Sequence, residues 1–271
     1  MAPPRVHRYH AEATALHADL KHPLAQEIKP QTYVKLAKGG GYLSEHARDF
    51  RVEHVVSYKS AHTHVAGHES TKPERGWITL TTSSIESLNV LEVVTADRVV
   101  SQIATHHPFK NGEHVPSVTF LGTKFENLRV GGARVDVVFN PRLFTIHAPA
   151  GDKPYLEDPD FLKLMGSSAS FPGLGKEWQA YVQQNPKGSP KPGASVKGTL
   201  AEKVSYADKT PFPSTISGNV ITVPDFGKII LAELDVDCDT FHLTMIRLEM
   251  GCLAAGTMTM SSTIANGGTR P

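Results

Sequence analysis

His62-Thr63-His64, followed by His68, is the pattern in this sequence best placed to do chemistry. On a β-strand, residues two apart project to one face, about 7 Å apart along the chain. Two imidazoles so placed can ligate Zn, Cu or Ni, and His68 could complete a three-nitrogen site. The competing reading is a set of exposed strand histidines that bind nothing. His106-His107 offers less, because neighbouring strand residues point to opposite faces. His7 and His10 fall in a segment without a firm element. With 14 histidines in the chain, many imidazoles would gain charge together below about pH 6.5.

Other motifs point away from catalysis. Asp235-Val-Asp237-Cys-Asp239 superficially suggests calcium. An EF-hand loop also needs Gly at its sixth position and a carboxylate at its twelfth, where this chain has Thr240 and Ile246. A polar hairpin turn fits better. There is no Gly-x-Ser-x-Gly elbow, no His-Glu-x-x-His helix and no phosphate-binding loop. A triad can still be assembled from distant residues. Phe161, Trp178 and Tyr181 could line a pocket, but read more simply as anchors for a helical insertion. Cys238 and Cys252 lie on segments expected to be adjacent, so a cross-strand disulfide and two small buried thiols both remain open.

The elements that must position these residues follow from period-two alternation, the mark of half-buried strands. Strands are expected within Tyr42–Val65, as one strand or a hairpin, and at Trp77–Ser83. Ile85–Ile103 reads as two strands with a bend near Thr95-Ala96-Asp97. Further strands are expected at Ser117–Leu121, Phe125–Val130 and Ala133–Phe139, with Gly131-Gly132 as a tight hairpin turn. After residues 141–193 come Ser195–Tyr206, Asn219–Val223, Lys228–Val236, Phe241–Met250 and Gly256–Ile264. Phe241–Met250 has apolar residues on both sides, which predicts a central strand covered on both faces. The alanine-rich stretch from Arg5 to Leu20 stays unassigned, because Leu16 breaks its alternation.

Residues 141–193 are rich in Pro and Gly and carry two helix candidates. One starts at Asp158-Pro159, and the other spans Gly175–Gln184. Many short strands without βαβ alternation predict an all-β fold, a mostly antiparallel sandwich or barrel with a small helical insertion. Residues 1–271 are expected to form a single domain.

Composition excludes several classes. The net charge of +1 gives no electrostatic case for nucleic acid or anionic membrane. No stretch approaches the roughly 18 apolar residues of a membrane helix. The first ten residues lack the apolar core of a secretory signal.

Three stretches resemble the bacterial surface β-domains called choice-of-anchor P. They are Leu88-Asn-Val-Leu-Glu-Val-Val-Thr-Ala-Asp97, Gly122-Thr-Lys-Phe-Glu-Asn-Leu-Arg-Val-Gly-Gly132 and Ile221-Thr-Val-Pro-Asp-Phe-Gly-Lys-Ile-Ile-Leu-Ala-Glu233. The resemblance implies an extracellular or wall-associated domain without known catalytic residues. The sequence lacks the leader and C-terminal anchoring segment of that pattern, so a place inside the cell stays open.

Three functions are expected in order. The first is a non-enzymatic structural or adhesive β-domain that associates with itself through strand edges or sheet faces. The second is a metal-binding protein or metalloenzyme using His62, His64 and His68. The third is a small-ligand carrier with a hollow interior.

Overall fold

The computed structural model describes residues 7–22, 25–71, 76–108, 116–140, 143–146, 155–158, 161, 195–209, 213–237, 240–251 and 254–266. Two antiparallel sheets pack face to face, so the fold is all-β and sandwich-like. The first sheet contains β1 (Ala11–Leu20), β2 (Gln26–Gln31), β3 (Val34–Lys35), β12 (Ser195–Thr199), β14 (Thr215–Ser217), β15 (Val220–Val223), β16 (Gly227–Asp237), β17 (Thr240–Met250) and β18 (Gly256–Asn266). Its main order is β14-β15-β16-β17-β18-β1-β2, with β12 on β16 and β3 on β1. The second contains β4 (Gly41–Val52), β5 (Val56–Glu69), β6 (Trp77–Val90), β7 (Val94–His107), β8 (Ser117–Thr119), β9 (Lys124–Glu126), β10 (Arg129–Val130), β11 (Ala133–Phe139) and β13 (Ala201–Tyr206). Its order is β13-β11-β10-β7-β6-β5-β4, with β8 and β9 both on β7.

Several expectations shift in detail. Tyr42–Val65 is a hairpin, β4 to β5, in which Val55 N–H donates to Val52 O. The turn between β6 and β7 lies at Leu91-Glu92, both at positive φ, and not at Thr95–Asp97. Thr95 and Ala96 pair within the ladder opposite Asn89 and Leu88. Gly131 and Gly132 turn the β10–β11 hairpin at φ 55 and 84, the left-handed conformation that two-residue hairpin loops require. Ser195–Tyr206 divides at Leu200, where the chain leaves one sheet for the other. Leu200 N–H donates to Ala232 O at that crossing.

The alanine-rich N-terminal stretch is β1, a central strand between β18 and β2. The break at Leu16 is structural. Ala15 of β1, Ser261 of β18, Met245 of β17 and Ala232 of β16 all drop out of the paired registers, forming one row of irregularities across the sheet. Ser261 and Ala232 there have φ of 52 and 51. An extra residue in a strand inverts which side chains face inward. Ala11 and Ala13 are therefore buried before the row, and Leu16, Ala18 and Leu20 after it. The same inversion explains Phe241–Met250. Phe241 and Leu243 are buried on one side of Met245, and Ile246, Leu248 and Met250 on the other. The apolar residues on both sides thus come from an inversion of facing at Met245, while the pairing stays in step on either side of it. The second sheet has a matching row, with Asp49 and Ser87 at φ 52 and 54 and unpaired opposite Lys59 and Asp97.

The interior combines an apolar core with a hydroxyl seam. In β6, Thr79, Thr81 and Ser83 are fully buried while Ile78 and Leu80 face outward, half-buried. The inward hydroxyls cross to the opposite sheet. Thr81 Oγ1 donates to Ile264 O (3.1 Å), Ser83 Oγ to Thr14 O (2.9 Å), and Ser261 Oγ to Ser83 O (2.9 Å). Small side chains let the backbones approach closely enough for these bonds, which satisfy polar groups that would otherwise be buried alone.

Little of the 141–193 insertion lies among the described residues. Leu143–Ile146 is one helical turn and Tyr155–Glu157 a 3₁₀ turn. The helix expected from Asp158 is described only at Asp158 and Phe161, and the Gly175–Gln184 helix lies outside the described residues, as do Trp178 and Tyr181. Phe144 packs on Phe120, Tyr155, Phe161 and Phe241 at centroid distances of 4.9–5.5 Å. Tyr155 OH donates to Pro116 O. Phe161 is fully buried and anchors the insertion against the sandwich. Among the described residues, no helix is long and apolar enough to cross a membrane.

Candidate functional site

β5 places His62, His64 and His68 on the outward face of the second sheet, because Ala61, Thr63, Val65 and Gly67 between and beside them point inward and are buried. The His62 and His64 rings lie 6.5 Å apart. His68 stands apart, about 13 Å further along the strand from His64 at the usual rise per residue. Its row continues through Ile78 to His106 on β7. The structure supplies a different neighbour. His46 of β4 pairs directly opposite His62, with ring centroids 6.4 Å apart. Tyr42 lies 5.3 Å from the His64 ring. Burial lowers the His64 pKa, and the nearby His62 lowers it further. Among the described residues, no three His, Cys, Asp or Glu side chains gather closely enough to hold one ion.

Sequence reasoning missed His46 because its partnership depends on the β4–β5 register. The signal available was the alternation of Tyr42, Ser44, His46 and Arg48 on a segment already read as part of a hairpin.

A second constellation lies on the outer face of the first sheet. His242 Nε2 is 2.7 Å from Ser262 Oγ and 3.3 Å from Thr244 Oγ1. Desolvation lowers the His242 pKa, against the opposing pull of Asp235 and Glu233. Asp235 pairs opposite His242, but its Oδ2 faces Lys197 at 3.5 Å and its Oδ1 has no hydrogen-bond partner among the described residues. A triad needs the carboxylate bonded to the imidazole, and that bond is missing. Beside it, Arg247 is clamped between Glu233 and Glu249. The result is a polar network stitching β16, β17 and β18 together.

His106, His107, His7 and His10 sit apart from both groups. His106 faces outward and His107 is buried, as neighbours on a strand must be. His7 is buried, stacked on Trp77 at 5.0 Å and 4.8 Å from the His107 ring. His10 Nε2 contacts Glu12 at 2.9 Å, and Glu12 also takes Lys35 and Tyr33 OH, each at 2.7 Å. Asp237 acts as a turn residue: its carboxylate accepts from Thr240 N–H and Thr240 Oγ1. Cys238, Asp239 and Cys252 lie outside the described residues.

Neither the curated proteins nor the solved structures contain a match to this chain. A family model described as a domain of unknown function (DUF8256) matches residues 7–237, most of the 271-residue sequence, and the chain belongs to that family.

Proposed function

We propose that this protein is a non-enzymatic structural or adhesive β-domain that associates with itself through the open edge of β4. The observation that carries this reading is the contrast between β4 and the other sheet edges. β14 has three residues, β2 contains Pro30, and β13 exposes Glu202 and Lys203. Each is shorter than β4, which itself exposes Glu45, Arg48, Asp49 and Arg51, so length and not charge sets β4 apart. β4 runs for 12 residues without proline and, among the described residues, is bonded to β5 on one side only. It exposes Tyr42 by 64% and Leu43 by 45%. Its stretch before the irregularity at Asp49 is a regular template of backbone donors and acceptors.

The bonded hydroxyl seam between the sheets speaks against a hollow carrier. The resemblance to choice-of-anchor P domains would put such an edge at a cell surface, where pairing between copies builds a layer or holds neighbours together.

Sedimentation velocity across a concentration series, in the presence of a chelator, tests the reading. The expected result is reversible growth in mass that Ser44→Lys abolishes, since lysine on an edge disfavours strand addition. A strictly monomeric species at the highest concentration would overturn it.

A further inference from the structure

We infer that His46 and His62 form half of a transition-metal site, which a second copy of the chain completes when the β4 edges pair. The inference rests on the self-association reading and adds a ligand that controls it.

His46 and His62 are directly opposed on adjacent strands, on the same outward face, and both are exposed. Directly opposed residues on an antiparallel pair have Cβ atoms only about 4.5–5.5 Å apart. Their rings are 6.4 Å apart. Imidazole nitrogens bind Zn at about 2.0–2.1 Å, so two rings sharing one ion need to close by roughly 1 Å. Exposed side chains make that adjustment by small rotations about χ1 and χ2.

The ligand count points to a partner. A closed zinc site takes four protein ligands, and no group of three forms among the described residues of one chain. Two imidazoles alone leave the ion half-coordinated. His46, however, lies on the strand whose other edge is unpaired among the described residues. Opposed residues on neighbouring antiparallel strands share a face, and a two-fold axis perpendicular to the sheet preserves that face. Pairing β4 with its own copy about an axis at His46 sets the two His46 side chains side by side. The row then reads His62, His46, His46 of the second copy, His62 of the second copy, four imidazoles on one face. The same register puts Ser44 opposite Arg48 of the other copy and opposes no two like charges across residues 44–48.

The experiment is sedimentation velocity of the full chain without a purification tag, in EDTA and then with Zn²⁺, with Mg²⁺ as control. Zn²⁺ is expected to lower the concentration for half-association at least tenfold, with one ion retained per two chains and reversal by EDTA. His46→Ala and His62→Ala are expected to abolish the Zn²⁺ effect. Both sites are exposed, so metal-free thermal unfolding should stay unchanged, while His68→Ala retains the response. Association in EDTA that Zn²⁺ does not strengthen would overturn this inference and leave the edge-pairing reading standing. A monomer under every condition would overturn both. A Zn²⁺ effect that survives the His46→Ala/His62→Ala double substitution would also overturn the site.

Discussion

Ser101 Oγ on β7 and Thr263 Oγ1 on β18 meet across the two sheets at 2.6 Å, both fully buried. Ser101 N–H also donates to Ser261 Oγ, so one residue fastens to the opposite sheet by both backbone and side chain. Ser101→Ala is expected to cost about 1–3 kcal/mol, because a buried hydroxyl loses its partner. The double substitution Ser101→Ala/Thr263→Val should cost less than the sum of the single ones, since neither partner is then left alone. Urea unfolding of the four proteins measures the coupling. Additive costs would show that the contact contributes nothing of its own.

Gly67 depends on space. A Cβ there would sit 2.5 Å from Tyr9 Cδ1 and 2.7 Å from Leu36 Cδ2. Tyr9 cannot easily yield, because its buried ring packs edge-on against His7 at 4.6 Å. Gly67→Ala should therefore destabilise by about 1–3 kcal/mol through overpacking. Gly251→Ala, where a Cβ meets nothing within 4 Å, is the matched control and should be near neutral. Thermal melts of the two variants decide the point.

His7 makes stability depend on mild acid. Burial lowers its pKa to about 4, against an ordinary value of 6.5. The unfolded chain therefore binds a proton that the folded one refuses between those values. The contribution is complete above about pH 6.5 and is lost as the pH falls toward 4. Allowing for solvent screening, roughly 1–2 kcal/mol is expected from this residue. His17 and His242, also lowered by burial, act in the same direction. Stability curves at pH 7, 5.5 and 4 should show a smaller fall in His7→Phe than in the natural chain. Parallel curves would refute the assignment.

Glu12 sets a second, more acidic limit. Burial raises its pKa, but Lys35, His10 and Tyr33 together hold it down to about 2, against an ordinary 4.5. Its stabilisation is present above about pH 4.5 and disappears as the pH falls toward 2. Glu12→Gln should cost on the order of 1–2 kcal/mol at pH 7 after screening. The gap between the two proteins should close near pH 2. A gap that stays constant with pH would mean that packing, not charge, holds β1 to β3.

Of the aromatic residues expected to anchor the 141–193 insertion, Phe161 is among the described residues and is fully buried, while the two helix candidates there fall largely or wholly outside them. His62 and His64 were read as sharing a face, and they do, because alternation within one strand depends only on backbone pleat. Which of them have neighbours was not legible. Separation along a strand can be counted in the sequence, whereas the opposition of His46 and His62 depends on the hairpin turn that fixes the β4–β5 register.

The sequence by itself determined the all-β class, most strand positions, the Gly131-Gly132 turn and the absence of the common catalytic motifs. These follow from local pattern and from residues that accept or refuse particular backbone conformations. Tertiary structure decided which face each strand buries. Ile78 and Leu80 look outward while Thr79, Thr81 and Ser83 fill the seam, because closely approaching sheets favour small hydroxyl side chains that bond across the gap. It also decided that Ala15 and Met245 mark points where the inward face inverts, since an irregular row is defined by its neighbours in the sheet. His62 keeps His64 as its neighbour along the strand and gains His46 across the hairpin, because the β4–β5 register joins two distant parts of the chain.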